Sequence, residues 1–232
     1  MRLVLFDIDG TLLRTKGAGR EATRRAMLEV FGTESTVATH EFSGKTDWRT
    51  LVELLGPHGI TYDDVHARIM TYHDAMTRSV IAVFEEKYEV SPCVGATELV
   101  DAFSRRDDVV MGIVTGNVKG AAEAKLSAAG FSPALFRVGA FGHEAFDRDH
   151  LPPLAIQRAS DLVGHSFKPQ DVWVIGDTPM DIQCARAVGA MAVAVGTGFS
   201  PPEELKASQP DYYLDDLTQF SPHIAHPLGW EI

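Results

Sequence analysis

Cysteine is scarce in this chain. Its 232 residues include only Cys93 and Cys184. They stand far apart and match no metal-ligand spacing, so neither a disulfide framework nor a zinc centre is expected to organise the fold. Cys184 falls within a helical pattern and reads as packing. Long hydrophobic runs are also missing. Stretches such as Met191–Val195 are far too short to span a bilayer. The N-terminus reaches Asp7 too soon to hold the apolar core of a secretory signal. The expectation is a soluble, cytoplasmic protein with no membrane partner. Positive charge is in short supply, with 21 Lys and Arg against 32 Asp and Glu, a formal net charge of -11. An acidic surface repels phosphate backbones and argues against nucleic acid as a partner. A small phosphorylated substrate remains open, since a local site can oppose the global charge. There is no internal repeat or low-complexity segment, and the tail with Pro222, Pro227 and Trp230 carries no reading. What is abundant is apolar: 45% of residues are hydrophobic. That supports a real core in one large domain, or in one domain with an insert.

The stretch Val4-Leu5-Phe6-Asp7-Ile8-Asp9-Gly10-Thr11-Leu12 organises the rest. Leu3 to Phe6 read as a short buried strand. Two acids follow, one residue apart, and Gly10 then allows a sharp turn. If the run stays extended, Asp7 and Asp9 point to the same side. A buried strand ending in two acids needs compensating charge, which a divalent cation supplies. Taken alone, Asp-x-Asp-Gly also fits a calcium loop or a plain acidic turn.

Past Leu13 the periodicity becomes helical. Gly17 to Gly19 read as a flexible hinge. Ala22, Ala26, Met27, Val30 and Phe31 form one helix face, ended by Gly32. Trp48, Leu51, Val52, Leu54 and Leu55 form a second face, stopped at Gly56-Pro57. A third long helix carries Val65, Ile69, Tyr72, Met76, Val80 and Val83, with Asp63 or Asp64 as its expected cap. No stretch between 15 and 89 reads as a sheet strand. After Ser91-Pro92 and Gly95, helices and unbroken apolar strands alternate. The strands fall at Val109–Val114, 136–141, Val172–Ile175 and Met191–Val195, and Tyr212-Tyr213-Leu214 follows the last helix. The helices fall at Ala96–Phe103, 118–129, 153–163, Met180–Val188 and near Glu203. Strands of this kind imply a parallel sheet covered on both faces. The expected architecture is α/β: a doubly wound parallel sheet formed by 1–14 and 90–232, interrupted after its first strand by an all-helical block at 15–89.

Three strands end in reactive residues. They are Asp7-Ile8-Asp9, Thr115-Gly116-Asn117, and Gly176-Asp177-Thr178-Pro179-Met180-Asp181. Doubly wound sheets bind ligands at the carboxyl ends of their strands. Each run also has a purely structural reading. Thr115 could cap a helix, Asp177-Thr178 could cap the helix opened by Pro179, and Asp181 could be a first-turn acid favoured by the helix dipole. Their joint occurrence favours a shared site. That sharing predicts a sheet order of third, second, first, fourth, fifth strand.

These motifs resemble those of the haloacid dehalogenase-like (HAD) superfamily, in its phosphoglycolate phosphatase-like branch with a helical cap. The first motif matches Asp7-Ile8-Asp9-Gly10-Thr11, the second Thr115, and the fourth Gly176-Asp177-Thr178-Pro179-Met180-Asp181. The resemblance implies a Rossmann-like core and a magnesium-dependent phosphatase acting on a small phosphorylated metabolite. It implies Asp7 as nucleophile, forming an aspartyl-phosphate, and Asp9 as general acid and base. It implies Mg2+ held by Asp7, the main-chain carbonyl of Asp9, and Asp177, with Asp181 supporting that shell or reaching the metal. Thr115 and the N–H groups of Gly116 and Asn117 would bind phosphoryl oxygens. The third motif departs from the family pattern. Where a Lys is usual, aligning Pro153 on the proline that opens the next helix puts Arg148, a fixed charge with a fork suited to phosphate. Lys168, before Pro169, sits at the wrong end of the sheet for this task. His143 and His150 read as loop residues. In the cap, Lys45 of Ser43-Gly44-Lys45-Thr46-Asp47 is either a substrate-binding cation or a solvated surface lysine.

The same fold serves other chemistries. Dehalogenases and phosphonate hydrolases lack the second acid, so Asp9 argues against both, although Lys45 is suggestively placed for a Schiff base. A sugar-phosphate mutase keeps every motif and stays open. A non-catalytic metabolite-binding module is disfavoured by the intact acids.

Overall fold

The first five residues with regular structure, Arg2–Phe6, form the central strand β1 of a sheet. The computed structural model describes residues 1–86 and 88–225. Pro227 and Trp230 lie outside them. In chain order, a two-residue strand β2 (Leu13–Arg14) precedes helices α1 (Ala18–Phe31), α2 (Asp47–Leu55) and α3 (Tyr62–Glu85). Strand β3 (Ser91–Pro92), α4 (Ala96–Ser104), β4 (Val109–Thr115), α5 (Lys119–Ala128) and β5 (Val138–Phe141) follow. Next come α6 (Leu151–Val163), β6 (Val172–Gly176), α7 (Pro179–Ala187), β7 (Met191–Val195), α8 (Pro202–Ala207) and β8 (Tyr212–Leu214).

The main sheet runs β5-β4-β1-β6-β7-β8 with parallel pairing throughout. This is the expected order, extended by one edge strand. Alternation of side chains splits each strand between two cores. Val4, Phe6, Met111, Ile113, Trp173, Ile175, Val193 and Val195 join the cluster on one face. Leu3, Leu5, Val110, Val114, Val172, Val174, Ala192 and Ala194 join the cluster on the other. Burial on both faces is why these strands read as continuous apolar runs.

The helical insertion has its own apolar cluster. The expected stripe of α3, namely Val65, Ile69, Tyr72, Met76, Val80 and Val83, is buried there against Ala22, Ala26 and Met27 of α1 and Leu51 of α2. The cluster also takes in Val118 and Ala121, so α5 packs against the inserted helices on one side. On its other side Ala122 and Leu126 face the sheet core.

Several local expectations are corrected. The cap of α3 is Thr61, not Asp63 or Asp64. Its hydroxyl accepts from the Asp64 N–H at 3.2 Å, while the Asp64 carboxylate accepts from the Thr61 N–H at 2.9 Å. This reciprocal box places the acid three residues inside the helix. The supposed hinge at Gly17 to Gly19 is the start of α1, with Gly17 in the left-handed conformation. Chain entry and exit are instead joined by β2 and β3, which pair antiparallel as Leu13 with Pro92 and Arg14 with Ser91. Two-residue strands leave no periodic signature. Helix α6 begins at Leu151, two residues earlier than expected, because Pro152 and Pro153 fit its first turn. Among the described residues, no helix is long and apolar enough to cross a membrane.

Candidate active site

Parallel pairing aligns Phe6 with Ile113 of β4 on one side and with Ile175 of β6 on the other. The residues that follow these strands therefore emerge together at one end of the sheet. Asp7, Asp177 and Asp181 are all buried, and each offers a carboxylate oxygen within 4.8 Å of the others. Arg148 reaches this group from the turn before α6. Its Nη2 lies 2.9 Å from Asp7 Oδ1 and 2.5 Å from Asp181 Oδ1, and its Nη1 donates to the Gly44 carbonyl at 3.1 Å. The guanidinium side chain is 3% exposed. Burial of this kind requires paired charge.

Each acid is held by its own element. Asp181 is the third residue of α7. Its Oδ2 accepts from the Thr178 hydroxyl at 2.7 Å and from the Thr178 N–H at 3.0 Å, closing a capping box. Asp181 is thus both the first-turn acid of α7 and a member of the acid cluster. Asp177 accepts from Thr11 Oγ1 at 3.1 Å. Gly10 sits against it with φ of +92°, and a Cβ there would lie 2.5 Å from Asp177 Oδ2. Only glycine meets both demands.

Burial raises the Asp7 carboxyl from 3.8 to about 6, with Asp181 and Asp9 adding to the rise and Arg148 opposing it. Burial, then Asp7 and Asp181, hold Asp177 well above the ordinary carboxylate range. Three acids facing one guanidinium leave the cluster short of positive charge. An all-oxygen donor set of this kind suits a hard divalent cation, and the three acids can coordinate one.

Asp9 departs from the expected geometry. The strand ends at Phe6, so alternation does not carry through to residue 9. Its carboxylate lies outside the cluster and faces α5. Oδ2 accepts from Lys125 Nζ at 2.6 Å and from Asn117 Nδ2 at 2.8 Å. The expected metal contribution of Asp9 was its main-chain carbonyl, which leaves the side chain free for this arrangement. Asn117 Nδ2 also donates to Thr115 Oγ1 at 2.8 Å. Thr115 is buried at the strand end and lines the cleft with Gly116 and Asn117.

The helical insertion closes over this end of the sheet. Asp47 N–H donates to the Gly116 carbonyl at 2.7 Å, and Trp48 N–H to the Gly142 carbonyl at 3.1 Å. Asp47 Oδ2 accepts from the Val118 N–H at 2.8 Å, and Thr46 Oγ1 donates to the Phe146 carbonyl at 2.7 Å. Backbones meet so closely here that a Cβ on Gly116 would lie 1.9 Å from the Lys45 carbonyl oxygen. A cleft of about 760 Å³ remains between the two parts, lined by Asp7, Asp9, Lys45, Thr115, Arg148 and Asp177 among others.

Lys45 lines that cleft, with its ammonium 2.6 Å from Glu53 Oε2. Lys168 is exposed at the opposite end of β6, away from the cleft. Lys125 and Asp47 were missed in the sequence. Lys125 lies in register with the buried positions Val118, Ala121, Ala122 and Leu126, and that placement of a charge was the available signal. Asp47 reads as an ordinary first-turn acid of α2.

The fold and the acid cluster together are those of a haloacid dehalogenase-like hydrolase with a helical insertion. The chain resembles the phosphoglycolate phosphatase-like branch of that superfamily. The HAD-hydrolase-like family model matches residues 128–220. The chain is 24% identical to a phosphoglycolate phosphatase of Pseudomonas putida, over 97% of this chain and 80% of that protein. It is also 24% identical to the pyrophosphatase PpaX of Bacillus mycoides, over 97% of this chain and 98% of that protein. The crystal structure of CbbY from Rhodobacter sphaeroides in complex with phosphate shares its fold, with a TM-score of 0.66 at 19% identity, covering 95% and 96% of the two chains.

Proposed function

We propose that the protein is a magnesium-dependent phosphatase that hydrolyses a small phosphorylated metabolite through an aspartyl-phosphate. The observation that carries this reading is the buried set Asp7, Asp177, Asp181 and Arg148 at the carboxyl ends of adjacent strands, with Asp9 beside it. In this reading Asp7 attacks phosphorus. Asp9 gives a proton to the leaving oxygen, then takes one from the water that cleaves the acyl phosphate. Arg148 holds Asp7 in place and opposes the charge of the acids. Thr115, with the N–H groups of Gly116 and Asn117, orients the phosphoryl oxygens. Mg2+ held by Asp7, Asp177, Asp181 and the Asp9 carbonyl would supply positive charge to the transferring group. Residues 15–89 act as a cap over the cleft, with Lys45 as a substrate contact, and 1–14 with 90–232 form the catalytic core. Relatives named for phosphoglycolate and for pyrophosphate fit a phosphorylated substrate without choosing between them.

The test is phosphate release from a panel of phosphorylated metabolites, with magnesium and with excess chelator, for the wild type and Asp7→Asn. Turnover should require magnesium, and Asp7→Asn should abolish it while the circular-dichroism spectrum is unchanged. Silence across the panel would overturn the activity. Full turnover in chelator would overturn the metal, and a near-wild-type Asp7→Asn would overturn covalent catalysis.

A further inference from the structure

We propose that Lys125 is a positioning residue for the proton-transfer step, holding the Asp9 carboxylate by one oxygen so that the other faces the leaving group. The proposal rests on the phosphatase reading above and extends it to a residue outside the four motifs.

Lys125 is on α5, among Ala121, Ala122 and Leu126, and its side chain is 4% exposed. A lysine is rarely buried this deeply, and its stem here occupies a position that an apolar residue would fill. Taking an ammonium out of water is unfavourable by several kcal/mol unless its hydrogen bonds are replaced. Here Nζ lies 2.6 Å from Asp9 Oδ2 and 2.6 Å from Asn117 Oδ1. Asn117 uses its other end to donate to the same Asp9 Oδ2 at 2.8 Å and to Thr115 Oγ1 at 2.8 Å. Lysine, asparagine and aspartate thus form a closed triangle anchored to the end of β4.

The triangle has a chemical consequence. Both donors arrive on Oδ2 of Asp9, and among the described residues no hydrogen bond is made to Oδ1. Oδ2 already accepts two N–H groups, so Oδ1 is the oxygen left open toward the leaving group. Oδ1 is then the atom that gives the proton to the leaving oxygen. In the second half-reaction the same oxygen accepts the proton from water. Asp9 needs such a restraint. Its side chain is 32% exposed, on a turn beyond the end of β1, where the backbone bridges to Leu13 but the carboxylate is held, among the described residues, by Lys125 and Asn117. The triangle also couples the acid to the insertion, because the face of α5 beside Lys125 carries Val118 and Ala121 into the apolar cluster of the inserted helices.

The leaving group provides the test. Nitrophenolate departs without a proton, whereas an alkoxide does not. Wild type, Lys125→Met, Lys125→Arg and Asp9→Asn are compared on p-nitrophenyl phosphate and on the best alkyl phosphate from the panel. Because kcat/KM reports steps up to the first phosphoryl transfer, it isolates the protonation of the leaving group. Lys125→Met should lose about 10- to 100-fold in kcat/KM on the alkyl ester, chiefly in kcat, and less than about threefold on the aryl ester. Asp9→Asn should show the same selectivity with a larger loss, and Lys125→Arg should recover part of the activity. Equal losses on both esters, or a fully active Lys125→Met on the alkyl ester, would overturn the proposal while leaving the phosphatase intact. An Asp9→Asn variant with no leaving-group selectivity would instead remove the acid role of Asp9, and the proposal with it. If Lys125→Met fails to fold, Lys125→Gln carries the same comparison. Its amide can donate to Asp9 without the charge, so it should fall between wild type and Asp9→Asn in selectivity. A Lys125→Gln variant with no selectivity overturns the proposal.

Discussion

Replacing Asp47 by Asn should stabilise the protein at neutral pH. Asp47 is 8% exposed and lies where the start of α2 meets the core. Burial is the main cause that raises its carboxyl from 3.8 to about 6, against the Val118 N–H and Lys125, which favour the charged form. Asp9 adds to the rise, and His73 opposes it. An acid whose folded pKa lies above its unfolded value binds protons more readily when folded. Stability from this group is therefore greatest below pH 3.8, falls as pH rises to about 6, and stays level above that. The gap between 3.8 and about 6, at about 1.4 kcal/mol for each tenfold change, sets a ceiling of about 3 kcal/mol. An asparagine oxygen can still accept the Val118 N–H, which donates to Asp47 at 2.8 Å, but carries no charge to desolvate. The expected gain at pH 7.5 is about 1–3 kcal/mol, or roughly 2–10 °C in Tm for a chain of this size. The assay is urea unfolding of wild type and variant between pH 4 and 8. Asp7 and Asp177 are also raised by burial, so the wild-type profile alone mixes several groups. The difference between the two proteins removes what they share. The gain should vanish as pH falls toward 4. A pH-independent difference, or a less stable variant at pH 7.5, would refute the reasoning.

Arg148→Ala should cost roughly 3–5 kcal/mol in transition-state stabilisation, because it leaves buried carboxylates without their guanidinium partner. Arg148→Lys should keep part of the activity and Lys168→Ala nearly all of it. In kcat/KM on one substrate, a silent Arg148→Ala beside an inactive Lys168→Ala would reverse the assignment. Lys45→Ala removes an ammonium that lines the cleft and pairs with Glu53. It should raise KM about two- to tenfold with kcat little changed, and unchanged kinetics on every accepted substrate would make Lys45 a surface residue.

The legible parts of this molecule are those where side-chain chemistry and periodicity coincide. Strands such as Val109–Thr115 are buried along their whole length and were readable as apolar runs. The acids at their ends stood out because charge is unfavourable at such a boundary. Arg148 could be placed from the prolines after it, since Pro152 and Pro153 mark the start of α6. Contacts made by the main chain were not legible. The bonds from Asp47 N–H to Gly116 and from Trp48 N–H to Gly142 join backbone groups that every residue possesses. Nothing in the letters says that α2 docks there. Thr61 is obscured by Asp63 and Asp64, two and three residues on, because either acid could also cap a helix. Strand alternation orients side chains only as far as Phe6, where the strand stops, so the contacts of the Asp9 carboxylate with α5 are not contained in it.

Lys125 is the instructive omission, because its signal was present but points two ways. A lysine one turn from Ala121 and Ala122 usually lets its stem cover apolar surface while the ammonium reaches water. Burial of the ammonium is stable only if a carboxylate from elsewhere meets it, and that partner lies 116 residues away. Helical periodicity within α5 contains no information about β1, so the choice between the two readings depends on the sheet order. Once β4 and β1 are neighbours, the turn after Phe6 and the first turns of α5 share one end of the sheet. Asp9 is then the acid within reach, and Asn117, between the two in space, completes the triangle. A charge on the buried face of a helix next to a reactive strand end is best read together with that strand end, not with its own helix.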